Sequence, residues 1–169
     1  MGRGRAEPAE VFDAGVNVDL AARRAKSIDV DPATLDTVEA MLDAGRRTIG
    51  DHYHLSLVGR EGAGFLRYEP GGFYRRHRDR AVDAAWPGAA RRLVSVIVFL
   101  NSSRSQPVPG EFSGGELVVF PEVLDAPATS EAVTVVPQQG TLVAFDASIL
   151  HEVRPVRSGT RDVIVDWYY

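Results

Sequence analysis

From residue 50 onward, glycine, proline, serine and asparagine interrupt the chain at intervals too short for helices, and this punctuation constrains the fold more than any other feature. Apolar or alternating runs between the interruptions read as strands near 53–58, 64–69, 73–79, 92–100, 116–120, 132–136, 141–146, 150–156 and 162–168. Turn signals separate them at Gly59, Gly62, Pro70-Gly71-Gly72, the Asn101–Gly115 loop, Pro121, Pro137–Gly140 and Ser158-Gly159. Many short strands at this spacing predict an all-β barrel or two-sheet jelly roll. Before them lies one convincing long helix. Asp31 is placed to cap it and Pro32 suits its first turn. Leu35, Val38, Met41, Leu42 and Ile49 recur at helical spacing, and Gly50 is placed to end the helix, which would pack on one sheet. Residues 1–10 are expected to be flexible and 11–169 to form a single domain.

Composition narrows the chemistry. The chain has no cysteine, which excludes a disulfide scaffold, thiolate-bound zinc, iron–sulfur clusters and a cysteine nucleophile. Any metal must be held by His, Asp or Glu, and the four histidines are His52, His54, His77 and His151. The formal net charge of −4 argues against a nucleic-acid partner. No apolar run is long enough to span a membrane and the N-terminus lacks a signal-peptide core, so a cytoplasmic location is expected. Charge is uneven, however. Between Arg67 and Arg92 seven arginines face Glu69, Asp79 and Asp83, a local balance of +4.

Three features carry candidate chemistry. In a strand, residues two apart share a face, so His77 and Asp79 would point together into a barrel while Arg76 and Arg78 point out. By itself the pair is a weak signal and also fits a surface ion pair. His151 follows the run Thr141–Phe145 and leads into another apolar stretch. Two histidines and one carboxylate suit Fe(II), because they occupy one side of the ion and leave positions open for substrate and oxygen. Arg161 lies across the Ser158-Gly159 turn from His151, on what would be a neighbouring strand. A buried arginine there needs an anionic partner, and a ligand carboxylate is the natural one.

Taken together, Tyr68, His77-Arg78-Asp79, His151 and Arg161 resemble the Fe(II)/2-oxoglutarate-dependent dioxygenases, in the prolyl 4-hydroxylase-like branch. The flanks Phe65–Tyr74, Ser95–Asn101, Gly114–Leu117, Gly140–Phe145 and His151–Val156, with Gly159 and Trp167, are similar to strands of that branch, so the likeness spans about 65–169. It implies a double-stranded β-helix with a supporting N-terminal helix. It implies Fe(II) on His77, Asp79 and His151, and 2-oxoglutarate with its far carboxylate on Arg161, aided by Tyr68. Phe99 stands where some relatives place a tyrosine, and Ser95, on the same strand face, is a candidate to supply a hydroxyl instead. With O2 as co-substrate and ascorbate as reductant, the implied reaction hydroxylates an unactivated C–H of a prolyl peptide, free amino acid or other small molecule, releasing succinate and CO2. Asp79 separates the chain from halogenating relatives, which replace this carboxylate.

Other features have plainer readings. His52 and His54 read as half-exposed strand histidines. Arg75, Arg76, Arg78, Arg80, Arg91 and Arg92 read as a solvated edge or as a patch recruiting an acidic substrate. Tyr74 and Trp167 read as core aromatics that could border the site. Segments 80–92 and 102–115 are candidate lids. The rival to an oxygenase is a non-catalytic metal-binding jelly roll serving as a ligand-binding or sensor module, which would not need Arg161.

Overall fold

The computed structural model describes residues 21–81, 87–121 and 131–169, plus the backbone of three short N-terminal strands. The elements in chain order are β1 (Ala6–Pro8), β2 (Val11–Phe12), β3 (Val16–Asn17), β4 (Arg23–Arg24), β5 (Lys26–Ile28) and α1 (Pro32–Tyr53). They continue with β6 (Gly64–Tyr68), β7 (Phe73–His77), α2 (Pro87–Ala90), β8 (Val94–Phe99), β9 (Ser113–Gly114), β10 (Leu117–Phe120) and β11 (Val133–Val135). The last four are β12 (Leu142–Asp146), β13 (Leu150–Val153), β14 (Val156–Ser158) and β15 (Arg161–Tyr168).

Two antiparallel sheets enclose the core, as a double-stranded β-helix requires. The larger has the order β1-β5-β6-β15-β8-β12 and the smaller β11-β10-β13-β7-β4. Alternation along each strand decides what is enclosed. Tyr68, Ile97, Phe99, Phe145 and Val163 from the larger sheet meet Leu117, Val119 and Val153 from the smaller. The opposite face of the larger sheet is also apolar, because α1 covers it. Leu42 and Ile49 pack there with Val94, Val96, Ile164 and Tyr168. Met41, one residue off that stripe, is 69% exposed, so the apolar face of α1 is narrower than the sequence suggests.

The helix begins as expected. The Asp31 carboxylate accepts from the Thr34 N–H at 3.0 Å and from its hydroxyl at 2.7 Å. It ends later than expected, passing through Gly50 to Tyr53 and stopping at His54, whose φ of 55° is left-handed. Gly50 serves packing instead: a Cβ there would lie 2.8 Å from the Leu55 carbonyl as the chain folds back. The strand expected at 53–58 is therefore absent, and His52 and His54 sit at an exposed helix terminus. At the N-terminus, Ala6–Pro8 pair with Lys26–Ile28, while the rest of 1–10 lies outside the described residues.

One ionic cluster joins α1 to the larger sheet. Arg60 donates to Asp166 at 2.8 Å, to Asp43 at 3.0 Å and to Glu39, while Asp166 also accepts from the Gly62 N–H at 2.9 Å. The side chains of Arg60 and Asp166 are 7% and 0% exposed, so neither charge can be left alone. Burial works against the Glu39 charge, but Arg60 and the Ala63 N–H outweigh it and hold the carboxyl below its ordinary value. Arg60→Met should therefore cost about 3–5 kcal/mol in denaturant unfolding. Glu39's contribution is complete above its unfolded value near 4.5 and is lost as pH falls through the lower folded value. The wild-type protein should accordingly lose more stability below that pH than Glu39→Gln does.

Candidate metal and co-substrate site

β13 lies antiparallel to β7 with His151 opposite His77 and Val153 opposite Tyr74. Two steps on β13 thus span three on β7, so β7 bulges at Arg75 and Arg76. The bulge breaks the period of two and brings Tyr74 and His77 to one face. Asp79 lies past the strand end, where its N–H and that of Arg80 both donate to the Ala147 carbonyl, at 3.1 and 2.8 Å. The expectation that His77 and Asp79 point together holds, but a turn anchored on Ala147 achieves it, not strand alternation.

The three side chains converge. Candidate ligand atoms of His77, Asp79 and His151 all lie within 4.8 Å of one another. Asp79 Oδ1 is 3.5 Å from His77 Nε2 and Oδ2 is 3.5 Å from His151 Nε2. Both rings are held alike. His77 Nδ1 meets the Arg75 carbonyl at 2.7 Å and His151 Nδ1 meets the Ile149 carbonyl at 3.0 Å. A carbonyl only accepts, so each Nδ1 carries a proton, and in the neutral ring each Nε2 presents its lone pair inward. Tyr74 stacks on His77 with centroids 3.5 Å apart, and Phe145 meets His151 edge-on at 4.7 Å. Burial pushes the His151 pKa down, favouring the neutral imidazole that a metal requires. Burial opposes the Asp79 charge, but His77, His151 and the Ser95 hydroxyl together hold its carboxyl well below the usual carboxylate range.

Arg161 faces the same cavity. It pairs in register with Tyr68 on β6, and its guanidinium carbon lies 5.0 Å from the Tyr68 ring centroid and 5.4 Å from that of Phe99. It is 1% exposed, yet its Nε and Nη2 have no hydrogen-bond partner among the described residues. Burial lowers its pKa to about 10, well below that of a free arginine. Gly115 makes room for it: a Cβ there would lie 2.9 Å from Arg161 Cδ, and φ at Gly115 is +64°. A buried cation with unmet donors, set in the cavity that holds the His–Asp–His cluster, has the chemistry to accept a small anion.

Ser95 shares the inward face of β8 with Phe99, as expected, but sits at the other end of the strand. Its hydroxyl donates to Asp79 Oδ2 at 2.6 Å. Four residues of strand, about 13 Å, separate it from the Phe99 position beside Arg161. The arginine cluster disperses. Arg76 stacks on Phe120, Arg91 stacks on Tyr169, and Arg92 is buried in a two-pronged bond to Glu61 at 2.8 and 2.7 Å. Arg92 also donates to the Asp79 carbonyl at 3.2 Å and lies over Trp167. Tyr74, Trp167 and Arg23 complete the cavity wall. Arg23 stands on a two-residue strand before α1 that carries no sequence signal, and Gly115 is visible only as part of a Gly-Gly turn. Of the candidate lids, 82–86 lies outside the described residues. The 102–115 loop is tied down by bonds of Ser103 to Pro137 and of Phe112 to Ser102, and Phe112 is fully buried.

Comparison with known proteins agrees with this geometry. The profile of the 2OG-Fe(II) oxygenase superfamily matches residues 63–169. A PKHD-type hydroxylase from Acaryochloris marina is 38% identical over 103 residues, which are 61% of this chain and 39% of the relative. The chain thus spans about two fifths of the length of the curated relatives it matches. The crystal structure of a Pseudomonas putida prolyl-4-hydroxylase is 32% identical, with a TM-score of 0.66 over 88% of this chain and 73% of that one. A Trichoplax adhaerens prolyl hydroxylase, solved with a hypoxia inducible factor peptide, shares the fold at 21% identity and TM-score 0.65.

The unmet donors of Arg161 generate a test. At neutral pH the buried charge opposes folding, and the penalty lifts only as pH rises through about 10 toward the higher value of a free arginine. Arg161→Met should therefore stabilise the ligand-free protein, by roughly 1–3 kcal/mol in denaturant unfolding. A loss of stability would mean that the guanidinium is already satisfied.

Proposed function

We propose that this chain, which belongs to the 2OG-Fe(II) oxygenase superfamily, is an Fe(II)- and 2-oxoglutarate-dependent hydroxylase that holds iron on His77, Asp79 and His151. The observation that carries the reading is one cavity with two receptors: a His–Asp–His cluster and a buried arginine with unmet donors. A metal-binding module without oxygenase activity has no use for the second receptor, because an unpaired buried guanidinium only costs stability.

The residues fit the groups this family uses. Two neutral imidazoles and one carboxylate neutralise half the charge of a divalent ion and leave one side of it open. Fe(II) held there would let oxygen act as the oxidant and 2-oxoglutarate as the co-reductant, so that one oxygen atom would enter an unactivated C–H and the other succinate, with CO2 released. The protein's part is orientation. Arg161 takes the far carboxylate of 2-oxoglutarate, with Tyr68 and Phe99 walling that end against water. The Nδ1 bonds fix the angles of both histidine rings. Arg92 and the Ala147 carbonyl hold the backbone of Asp79. Tyr74 and Trp167 line the cavity on which a substrate would rest. The substrate we infer is a prolyl peptide or a small molecule of similar size, supported by the 32% identity to a prolyl-4-hydroxylase. Ascorbate is the inferred reductant that keeps the iron ferrous.

Turnover of carboxyl-labelled 2-oxoglutarate with Fe(II) and ascorbate tests the reading, with prolyl peptides and free amino acids as candidate acceptors. The wild-type protein should release labelled CO2 and form succinate, and His77→Ala should abolish both. Arg161→Ala should raise the KM for 2-oxoglutarate about 100-fold or more, the loss of two charge-assisted hydrogen bonds. Wild-type protein that consumes no 2-oxoglutarate under any of these conditions would refute the proposal.

A further inference from the structure

We propose that Ser95 is a positioning residue of the metal centre, whose hydroxyl occupies one oxygen of Asp79 and so limits that carboxylate to a single bond with the metal. The inference rests on the reading of His77, Asp79 and His151 given above.

The backbone of Asp79 is already held, its N–H by the Ala147 carbonyl at 3.1 Å and its carbonyl by Arg92 at 3.2 Å. Arg92 is in turn held by Glu61. What remains free is rotation of the carboxylate. Its two oxygens face the two rings at equal distances, Oδ1 3.5 Å from His77 Nε2 and Oδ2 3.5 Å from His151 Nε2. Either oxygen, or both together, is therefore within reach of an ion held between the imidazoles. Carboxylates bind metals in both modes, and proximity alone does not choose.

The choice matters for the reaction. With one carboxylate oxygen and two imidazoles, an octahedral ion keeps three positions open. A chelating co-substrate would need two of them and oxygen the third. If Asp79 binds through both oxygens, one of those positions is lost.

Ser95 supplies the bias. It is 1% exposed, and its hydroxyl donates to Asp79 Oδ2 at 2.6 Å, a short bond of the charge-assisted kind. Its partners across the sheet are Phe145 on β12 and Trp167 on β15. Those neighbours offer ring surface, so the buried hydroxyl has Asp79 as its acceptor. An oxygen that accepts this bond is a poorer metal ligand, and turning Oδ2 toward the metal breaks it. Oδ1 is left as the ligand. The same bond costs the fold little, because β8 already delivers Ser95 to that end of the cavity between β12 and β15.

Mn(II) is the probe for the test, used without oxygen. Water-proton relaxation of the Mn(II)-loaded protein counts exchangeable waters on the metal, and calorimetry gives the dissociation constant of 2-oxoglutarate. Ser95→Ala should still bind Mn(II), lose about one of the metal-bound waters seen in the wild type, and bind 2-oxoglutarate about 10-fold more weakly. Ser95→Thr, which keeps the hydroxyl, should restore both readings. Ser95→Cys, nearly the shape of serine but a weak donor, should follow alanine and serves in its place if the alanine variant does not fold. Removal of the hydroxyl with water count and affinity unchanged overturns the proposal, as does a threonine variant as impaired as alanine. Wild-type protein that takes up no Mn(II) fails differently: it removes the metal-site reading and this proposal with it.

Discussion

The bulged pairing of β13 on β7 is the constraint on which the rest of the site depends. A regular antiparallel ladder through this stretch would put Tyr74 and His77 on opposite faces. Because two residues of β13 span three of β7, both side chains turn into the cavity and His77 lies directly across from His151. The turn that follows places Asp79 on the Ala147 carbonyl, between the two rings. A one-residue slip of the ladder would send His77 to solvent and dissolve the cluster. The stacking of Tyr74 on His77 and the bonds from both Nδ1 atoms to carbonyls two residues back hold this register from within.

Arg161, the proposed carboxylate anchor, belongs to the other sheet. Register between β6 and β15 sets Arg161 opposite Tyr68, and the left-handed glycine at 115 leaves space for its side chain. Among the described residues two nitrogens of this fully buried guanidinium are unmet, a desolvation cost that the fold alone does not offset. The cost is intelligible if a carboxylate completes the arrangement. β8 links the two receptors. Its inward face presents Ser95 to Asp79 at one end and Phe99 to Arg161 at the other, so a single strand sets their spacing. The Arg60 cluster and α1 stiffen the outer face of the same sheet.

Much of this was legible from residue types and order. The turn residues signalled a two-sheet β fold. His77 and His151 stood out among only four histidines, and Asp79 and Arg161 through the order and flanks that resemble the family. The parts that were not legible depend on geometry between distant segments. A bulge carries no composition signal when it falls on Arg75 and Arg76. Gly50 looks like a helix stop, but the contact that demands glycine comes from Leu55 folding back, and His54 accepts the left-handed cap. Ser95 could be placed on the correct face by counting residues. Which end of the cavity it served depended on the register of β8 against β12 and β15, and that is set by tertiary packing. Arg23 and Arg92 reach the cavity from short or irregular segments where periodicity says nothing.

The central claim is that one cavity binds a metal and a dicarboxylate together, each through its own residues. Anaerobic calorimetric titration of 2-oxoglutarate into the apoprotein and the Mn(II)-loaded protein tests it most directly. The account predicts tight binding only when the metal is present, and its loss in Arg161→Met even with the metal bound. Equal affinity with and without metal, or binding that survives loss of Arg161, would contradict it.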